Sequence, residues 1–162
     1  MSTIGRTVPF TQSLLLAAYQ ETARELLDEL ARAGHPRIRH KHGAVFANLD
    51  PAGTRPSVLA ARAGMSKPAM GELVAELERL GYVSRRPDPD DGRATIVVPT
   101  AAALDVITCV RRVNRAIERR YRRLLGEKTY GAFRAALLAI VPPDRALVQP
   151  RITNRRAGSG RG

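Results

Sequence analysis

A chain of 162 residues with 44% hydrophobic side chains can close a core without metal, and its single cysteine, Cys109, excludes an internal disulfide framework. Aromatics are only 4% and tryptophan is absent, so leucine, alanine, valine and isoleucine must do the packing, which favours a mainly helical fold. The formal net charge of +12 points to a polyanionic partner. No apolar run approaches the ~20 residues of a membrane span, and Met1–Phe10 lacks a signal-peptide core, so a cytoplasmic protein without a membrane partner is expected.

The charge is unevenly placed. Residues 1–54 carry six basic and five acidic side chains, residues 55–99 seven and six, and residues 100–162 fourteen and four. The excess therefore sits in the C-terminal third.

In chain order, Leu15, Tyr19, Thr22, Leu26 and Leu30 predict a first helix over about Thr11–Ala33, ended by Gly34 and Pro36. A second, shorter helix is expected over Arg39–Leu49, with Ala44, Val45, Phe46 and Leu49 inward, followed by an Asp50–Gly53 turn. Ser57 is the expected N-cap of a helix over Val58–Ala63. Gly64 then turns the chain, Ser66 caps the next helix, and Pro68 sits in its first turn. Ala69, Leu73, Leu77 and Leu80 make that helix's apolar stripe, with Gly81 as terminator. Tyr82–Arg86 and Ala94–Val98 read as two strands of a hairpin, joined by the turn formers Pro87-Asp88-Pro89-Asp90-Asp91-Gly92.

Thr100 caps a long helix reaching about Leu125. Ala103, Ile107, Val110, Asn114, Ile117, Tyr121 and Leu124 recur in steps of four and three, the spacing of a heptad seam with Asn114 as its polar member. After Gly126 a last helix covers Glu127–Val141, with Tyr130, Phe133, Leu137 and Ile140 on one face, stopped by Pro142-Pro143. The basic, glycine-rich segment 145–162 is expected to be a tail with a disordered end. There are no internal repeats.

Helix, glycine turn, capped helix and hairpin is the order of a winged helix-turn-helix, in which the second helix enters the major groove. The run Leu59-Ala60-Ala61-Arg62-Ala63-Gly64-Met65-Ser66-Lys67-Pro68-Ala69-Met70-Gly71-Glu72-Leu73-Val74, then Leu77-Glu78-Arg79-Leu80-Gly81-Tyr82-Val83, resembles the reading head of the MarR family. Asp88-Pro89-Asp90-Asp91-Gly92-Arg93 resembles that family's acidic, arginine-ended wing, and Thr100 the threonine that opens its next helix. The resemblance covers roughly Thr11–Val141. It implies a single domain over 1–162: dimerisation helices at 11–49 and 100–141, a winged helix-turn-helix at 54–99, and the tail. It implies a homodimeric transcription regulator, a repressor by expectation, that binds pseudo-palindromic double-stranded DNA. A small anionic or phenolic effector would bind between the dimer helices and the reading head.

With Leu73, Leu77 and Leu80 inward, Lys67, Pro68, Gly71 and Ala75 face outward and Met70 and Glu72 lie at the flanks. This small, apolar face can settle deep in a groove, with Lys67 reaching a guanine or a phosphate. The expected DNA-binding set is Arg55, Ser66, Lys67, Pro68, Met70, Gly71, Arg85, Arg86 and Arg93, the last three placed at the base of the wing. Asp90 and Gly92 stand where the family often has arginines, which leaves Arg93 as the minor-groove candidate. The resemblance assigns Asp88 to steadying the wing by pairing with Arg93. The expected dimer interface is Leu15, Tyr19, Ile107, Val110, Asn114, Ile117, Tyr121, Leu124, Phe133 and Leu137.

Asp88, Asp90 and Asp91 do not make a calcium loop, because Gly92 and Arg93 break the ligand spacing. His35, His40 and His42 lie in one basic stretch without the cysteine or acid that a zinc site needs beside them. They read as surface, with phosphate or effector contact as the alternative. Cys109 reads as a packed thiol. Arg111, Arg112, Arg115, Arg119, Arg122 and Arg123 read as a solvated stripe, with contact to flanking DNA or to an effector as the alternative. No nucleophile–base pair, phosphate-binding loop or metal set is present, so an enzyme is not expected and no cofactor is assigned. The competing reading is a winged-helix module that binds protein and no operator.

Overall fold

Apolar side chains recurring every three or four residues set the helices, and turn formers separate them. In the structure, a computed structural model describing residues 9–141, α1 runs over Thr11–Arg32, α2 over Gly43–Phe46, α3 over Pro56–Ala63 and α4 over Lys67–Arg79. The hairpin β1 (Val83–Asp88) and β2 (Asp91–Pro99) follows, then α5 (Ala101–Leu125) and α6 (Glu127–Ile140). The expected 145–162 tail and the Pro142-Pro143 stop lie outside the described residues. Among the described residues, no helix is long and apolar enough to cross a membrane.

The second helix is shorter than the spacing predicts: a 3-10 turn at His40–His42 precedes the single α2 turn. Its inward residues are placed as expected, with Val45, Phe46 and Leu49 buried and Ala44 packed against the core. The third helix starts earlier than Ser57 would set it. Pro56 occupies the first turn, where a missing N–H costs nothing, and Arg55 becomes the N-cap residue without a side-chain cap. Gly64 then adopts the left-handed conformation, φ 62°, that lets α4 follow at a sharp angle.

The core centres on Leu59, Met70, Val74, Leu77, Val97 and Val106, each at most 1% exposed side by side with Leu30 and Val45 below 3%. Burying a side chain of this size contributes about 1.5–3 kcal/mol. The buried face of α4 is Met70, Leu73, Val74 and Leu77, rotated from the expected Ala69–Leu80 stripe. Val74 and Met70 fill the space that Leu80, only half-buried, leaves.

α5 carries a buried stripe of Ala103, Val106, Ile107, Cys109, Val113 and Ile117, and α1 packs along it. Arg120 grips Glu25 with two parallel hydrogen bonds of 3.1 and 2.8 Å, and Arg112 reaches Glu29 at 3.2 Å. Within the single chain Ile107 and Ile117, expected in the dimer seam, are 3% and 7% exposed and belong to the core, while Asn114, expected beside them in that seam, lies exposed on the chain's surface.

Candidate nucleic-acid interface

Ser66 fixes the start of α4: its side chain accepts the Ala69 N–H at 3.3 Å, and Lys67 and Pro68 stand exposed in the first turn. The free N–H groups and the positive end of the helix dipole then face outward with Lys67, an arrangement that attracts a phosphate. Glu72, Ala75, Glu78 and Arg79 continue the exposed face, and Gly71 is half-buried on it. Met70, expected at the flank of this face, is fully buried. It packs against the core as a filler and is not available to DNA.

At its other end α4 is locked to the hairpin and to α5 by one hydroxyl. Thr100 Oγ1 lies 2.8 Å from the Gly81 carbonyl and 2.9 Å from that of Tyr82, and accepts the Ala103 N–H at 3.4 Å as the cap of α5. Arg85 of β1 donates to Glu78 of α4 at 3.1 Å, so this arginine holds the strand to α4. Arg86, in contrast, is exposed opposite Ile96.

The wing itself is an antiparallel pair from Val83↔Pro99 to Pro87↔Thr95, with a bulge before the Asp88↔Asp91 pairing. The strands are longer than expected, and Arg93 therefore sits in the bulge near the tip, not at the base. A single β-bridge, unseen in the sequence pattern, joins the far edge of β2: Thr54 and Val97 exchange two backbone hydrogen bonds of 2.9 Å. Gly53 makes this approach possible, because a Cβ there would stand 2.7 Å from Val98 Cγ1 and 2.8 Å from Ile96 Cδ1.

Asp88 does anchor the wing, but with a different partner. Its carboxylate, 7% exposed, receives the Arg55 Nε–H at 2.5 Å and the Asp90 N–H at 2.9 Å. The Asp90 amide and the Arg55 guanidinium together hold the Asp88 carboxyl below its usual value. Arg55 also lies 3.8 Å from Asp91, so the arginine expected on DNA is the clamp that ties the root of α3 to the wing tip. Arg93 makes only a backbone contact, its N–H donating to Asp91 Oδ1 at 3.2 Å. Among the described residues no carboxylate pairs with its exposed guanidinium. The clamp frees Arg93.

The histidines are not all surface. His35 is buried, with Nε2 3.0 Å from Asp105 Oδ2 and Nδ1 3.1 Å from the Tyr82 hydroxyl. Since a carboxylate only accepts, Nε2 donates to Asp105, while Nδ1 lies in hydrogen-bond contact with the Tyr82 hydroxyl. His42 is fully buried; Nδ1 accepts the Arg39 N–H at 3.1 Å, while Nε2 faces Glu76 Oε1 at 3.3 Å without hydrogen-bond geometry. Burial pushes the His42 imidazole down, against the opposing pull of Glu76. Lys41 binds the other Glu76 oxygen at 2.5 Å and, with His42, holds that carboxyl low. His40 alone stays exposed, its Nδ1 3.3 Å from the Tyr19 hydroxyl. Among the described residues no group of three or more histidine, cysteine or acidic side chains could hold a metal ion. Cys109 is buried as expected, its Sγ 3.5 Å from Arg112.

Of the remaining interface residues, Leu15, Tyr19, Leu124 and Phe133 are exposed at 38%, 56%, 76% and 40%, and Val110, Tyr121 and Leu137 are half-buried. Phe10, Leu14, Leu16 and Leu138, outside the expected interface set, are exposed too, as is Ile140, expected on the apolar face of α6. All lie on α1, α6 or the residue before α1.

Residues 40–94 match the sequence model of the MarR family. The matched segment runs from the turn before α2 into β2, and so spans the helix-turn-helix and the first part of the hairpin. Among solved structures, a MarR family transcription regulator, SP03579, is 21% identical with a TM-score of 0.65, covering 80% of this chain and 82% of that one. YusO from Bacillus subtilis is 23% identical with a TM-score of 0.61, covering 81% and 93%. An S. aureus MepR variant bound to an oligodeoxyribonucleotide is 19% identical with a TM-score of 0.56, covering 82% and 96%. Among curated proteins none matches the chain. These likenesses establish a fold like that of the MarR proteins over most of the chain.

Proposed function

We propose that the chain is a transcription regulator that binds double-stranded DNA sequence-specifically as a homodimer, α4 reading the major groove and the wing meeting the adjacent backbone or minor groove. The observation that carries this reading is the exposed first turn of α4. Ser66, Lys67 and Pro68 present a dipole-positive helix end beside a wing whose free arginine, Arg93, is released by the Arg55–Asp88 clamp. The dimer rests on the apolar residues that α1 and α6 leave uncovered, since α6 buries only Tyr130 within its own chain. A two-fold dimer presenting two reading helices calls for a pseudo-palindromic site with half-sites about one helical turn apart.

The regulator acts as a repressor in the cytoplasm in this reading, and a small ligand releases it. A cleft of about 410 Å³ between Lys41 and Ala44 on one side and Met65, Leu73 and Glu76 on the other suits such an effector. Its walls carry Glu72, with Glu76 paired to Lys41, beside His40 and apolar Ala44, Met65 and Leu73, a lining that suits a small aromatic ligand bearing a hydroxyl or a single negative charge.

Selection of bound duplexes from a randomised library, read by sequencing, tests the function. A two-fold symmetric motif is expected, and Lys67→Ala should change it. Binding without any sequence preference, or capture of protein partners with no DNA retained, would replace this reading with that of a protein-interaction module.

A further inference from the structure

The reading half of the molecule is nearly neutral. Residues 55–99 carry seven basic and six acidic side chains, and three of those cations, Arg55, Arg62 and Arg85, are engaged by Asp88, Asp50 and Glu78. The charge lies on α5 instead, which between Ala101 and Leu125 holds seven arginines, no lysine and two acids. Arg120 points toward α1 and closes on Glu25. The other six, Arg111, Arg112, Arg115, Arg119, Arg122 and Arg123, spread over the half of the helix opposite the buried Val106, Val113 and Ile117.

Internal neutralisation of this face is incomplete. Arg112 and Arg122 meet Glu29 and Glu127, and the acid nearest the ladder in sequence, Glu118, is held by Arg134 of α6. Among the described residues no carboxylate pairs with Arg115, Arg119 or Arg123, all exposed and four residues apart. Like charges at that spacing repel modestly along a helix, and an anion bound across them would relieve that repulsion.

Two features identify the anion. From Arg115 to Arg123 the helix rises about 12 Å, so the three arginines without a carboxylate partner form a row about 6 Å apart, long enough to follow three or four successive phosphates at ~3.4 Å of rise along one DNA strand. The residues are all arginine, whose planar fork binds phosphate oxygens in pairs. No large apolar side chain interrupts the outer face between Arg111 and Arg123, so it lacks the apolar stripe by which a helix settles in a lipid surface. The patch also begins about 16 Å along α5 from the wing root at Thr100, beyond the groove that α4 reads.

We propose that the outer face of α5, centred on Arg115, Arg119 and Arg123, is a second, sequence-independent binding surface for the backbone of duplex DNA. It is distinct from the reading helix and lets one molecule hold two duplex segments.

The test uses the full chain with Arg115, Arg119 and Arg123 all changed to glutamine, which keeps the helix, and a random-sequence 20-base-pair duplex as probe. The variant should lose at least tenfold in affinity for this probe at about 0.1 M salt. Its log–log salt slope should fall by about 0.9 for each lost phosphate contact. It should also fail to carry a second, free duplex onto beads bearing the first, which the unchanged protein does. The triple lysine variant should retain most of the binding. In the unchanged protein the probe should shield the three arginines from phenylglyoxal, a readout that does not depend on any variant folding. Unaltered affinity and slope in a folded glutamine variant, no shielding, or retention by phosphatidylserine vesicles but not by the duplex would each overturn the assignment. Loss of the duplex in Lys67→Ala with Arg93→Ala, while the glutamine variant binds normally, would place all DNA contact on the reading head and overturn it as well.

Discussion

Gly53 shows how one missing side chain shapes the wing. Its φ of 105° is open to glycine and strained for other residues, and its α-carbon lies against Val98 and Ile96. Gly53→Ala should therefore destabilise the fold by about 2 kcal/mol, read by urea unfolding, because strain and steric conflict add. The sequence marks this position only as a turn; the β-bridge that needs it joins residues far apart in the chain. His42 is a second case. Its basic neighbours suggested surface, yet it is sealed between the turn before α2 and α4. Its pKa is depressed in the folded chain, so the unfolded chain binds the proton more readily. Stability is then full above about pH 6.5 and declines as the pH falls below it. Arg39 and Lys41 push the same way and Glu76 opposes them. His42→Gln should flatten the decline between pH 6.5 and 5 while leaving the loss below pH 4.5, where Glu76, Asp88 and Glu29 take up protons. Identical pH–stability curves for the two proteins would show that His42 is not the group responsible.

Elements were legible where a periodic stripe and its caps coincide. Thr11, Ser66 and Thr100 open helices within a residue of expectation, and Leu125 ends one. The phase of α4 was not, because a stripe drawn through leucines alone passes over Met70 and Val74. The wing's ion pair was also hidden: Asp88 has arginines two to five residues away along the hairpin, and nothing in a one-dimensional pattern favours Arg55, 33 positions distant. That pairing makes the wing and α3 one unit. Arg55→Ala and Asp88→Asn should each lower stability and DNA affinity, and the double variant should be little worse than either, as a thermodynamic cycle would measure. Arg93→Ala should leave the unfolding transition in place and weaken binding to all sequences roughly tenfold, since it removes a charged contact that carries no base information. A change of preferred sequence in that variant would mean the wing reads bases.

At the scale of the molecule, a heptad spacing does not say whose helix it meets. On α5 the stripe is filled by α1 of the same chain, so Ile117→Glu should cost roughly 4 kcal/mol and leave little folded protein. Leu138→Glu with Phe133→Glu, on the uncovered face of α6, should instead give a folded monomer with DNA binding much reduced. Sedimentation velocity together with far-ultraviolet circular dichroism separates these outcomes. A monomeric unchanged protein at micromolar concentration would remove the dimer from the account. The basic C-terminal third was plain from composition alone, but its exposed part became visible only once α1 had claimed the opposite face.

The hydroxyl of Thr100 has a mechanical consequence. Because it joins the chain after α4, the start of β1 and the root of α5, motion of any one of these is coupled to the others, and the 25 residues of α5 form an arm about 37 Å long. In the proposed dimer, a tilt of about 5° where that arm meets α6 would swing the head by about 3 Å, close to the ~3.4 Å rise of one base pair. Small leverage at the clasp is therefore enough to put two reading helices out of step with their half-sites.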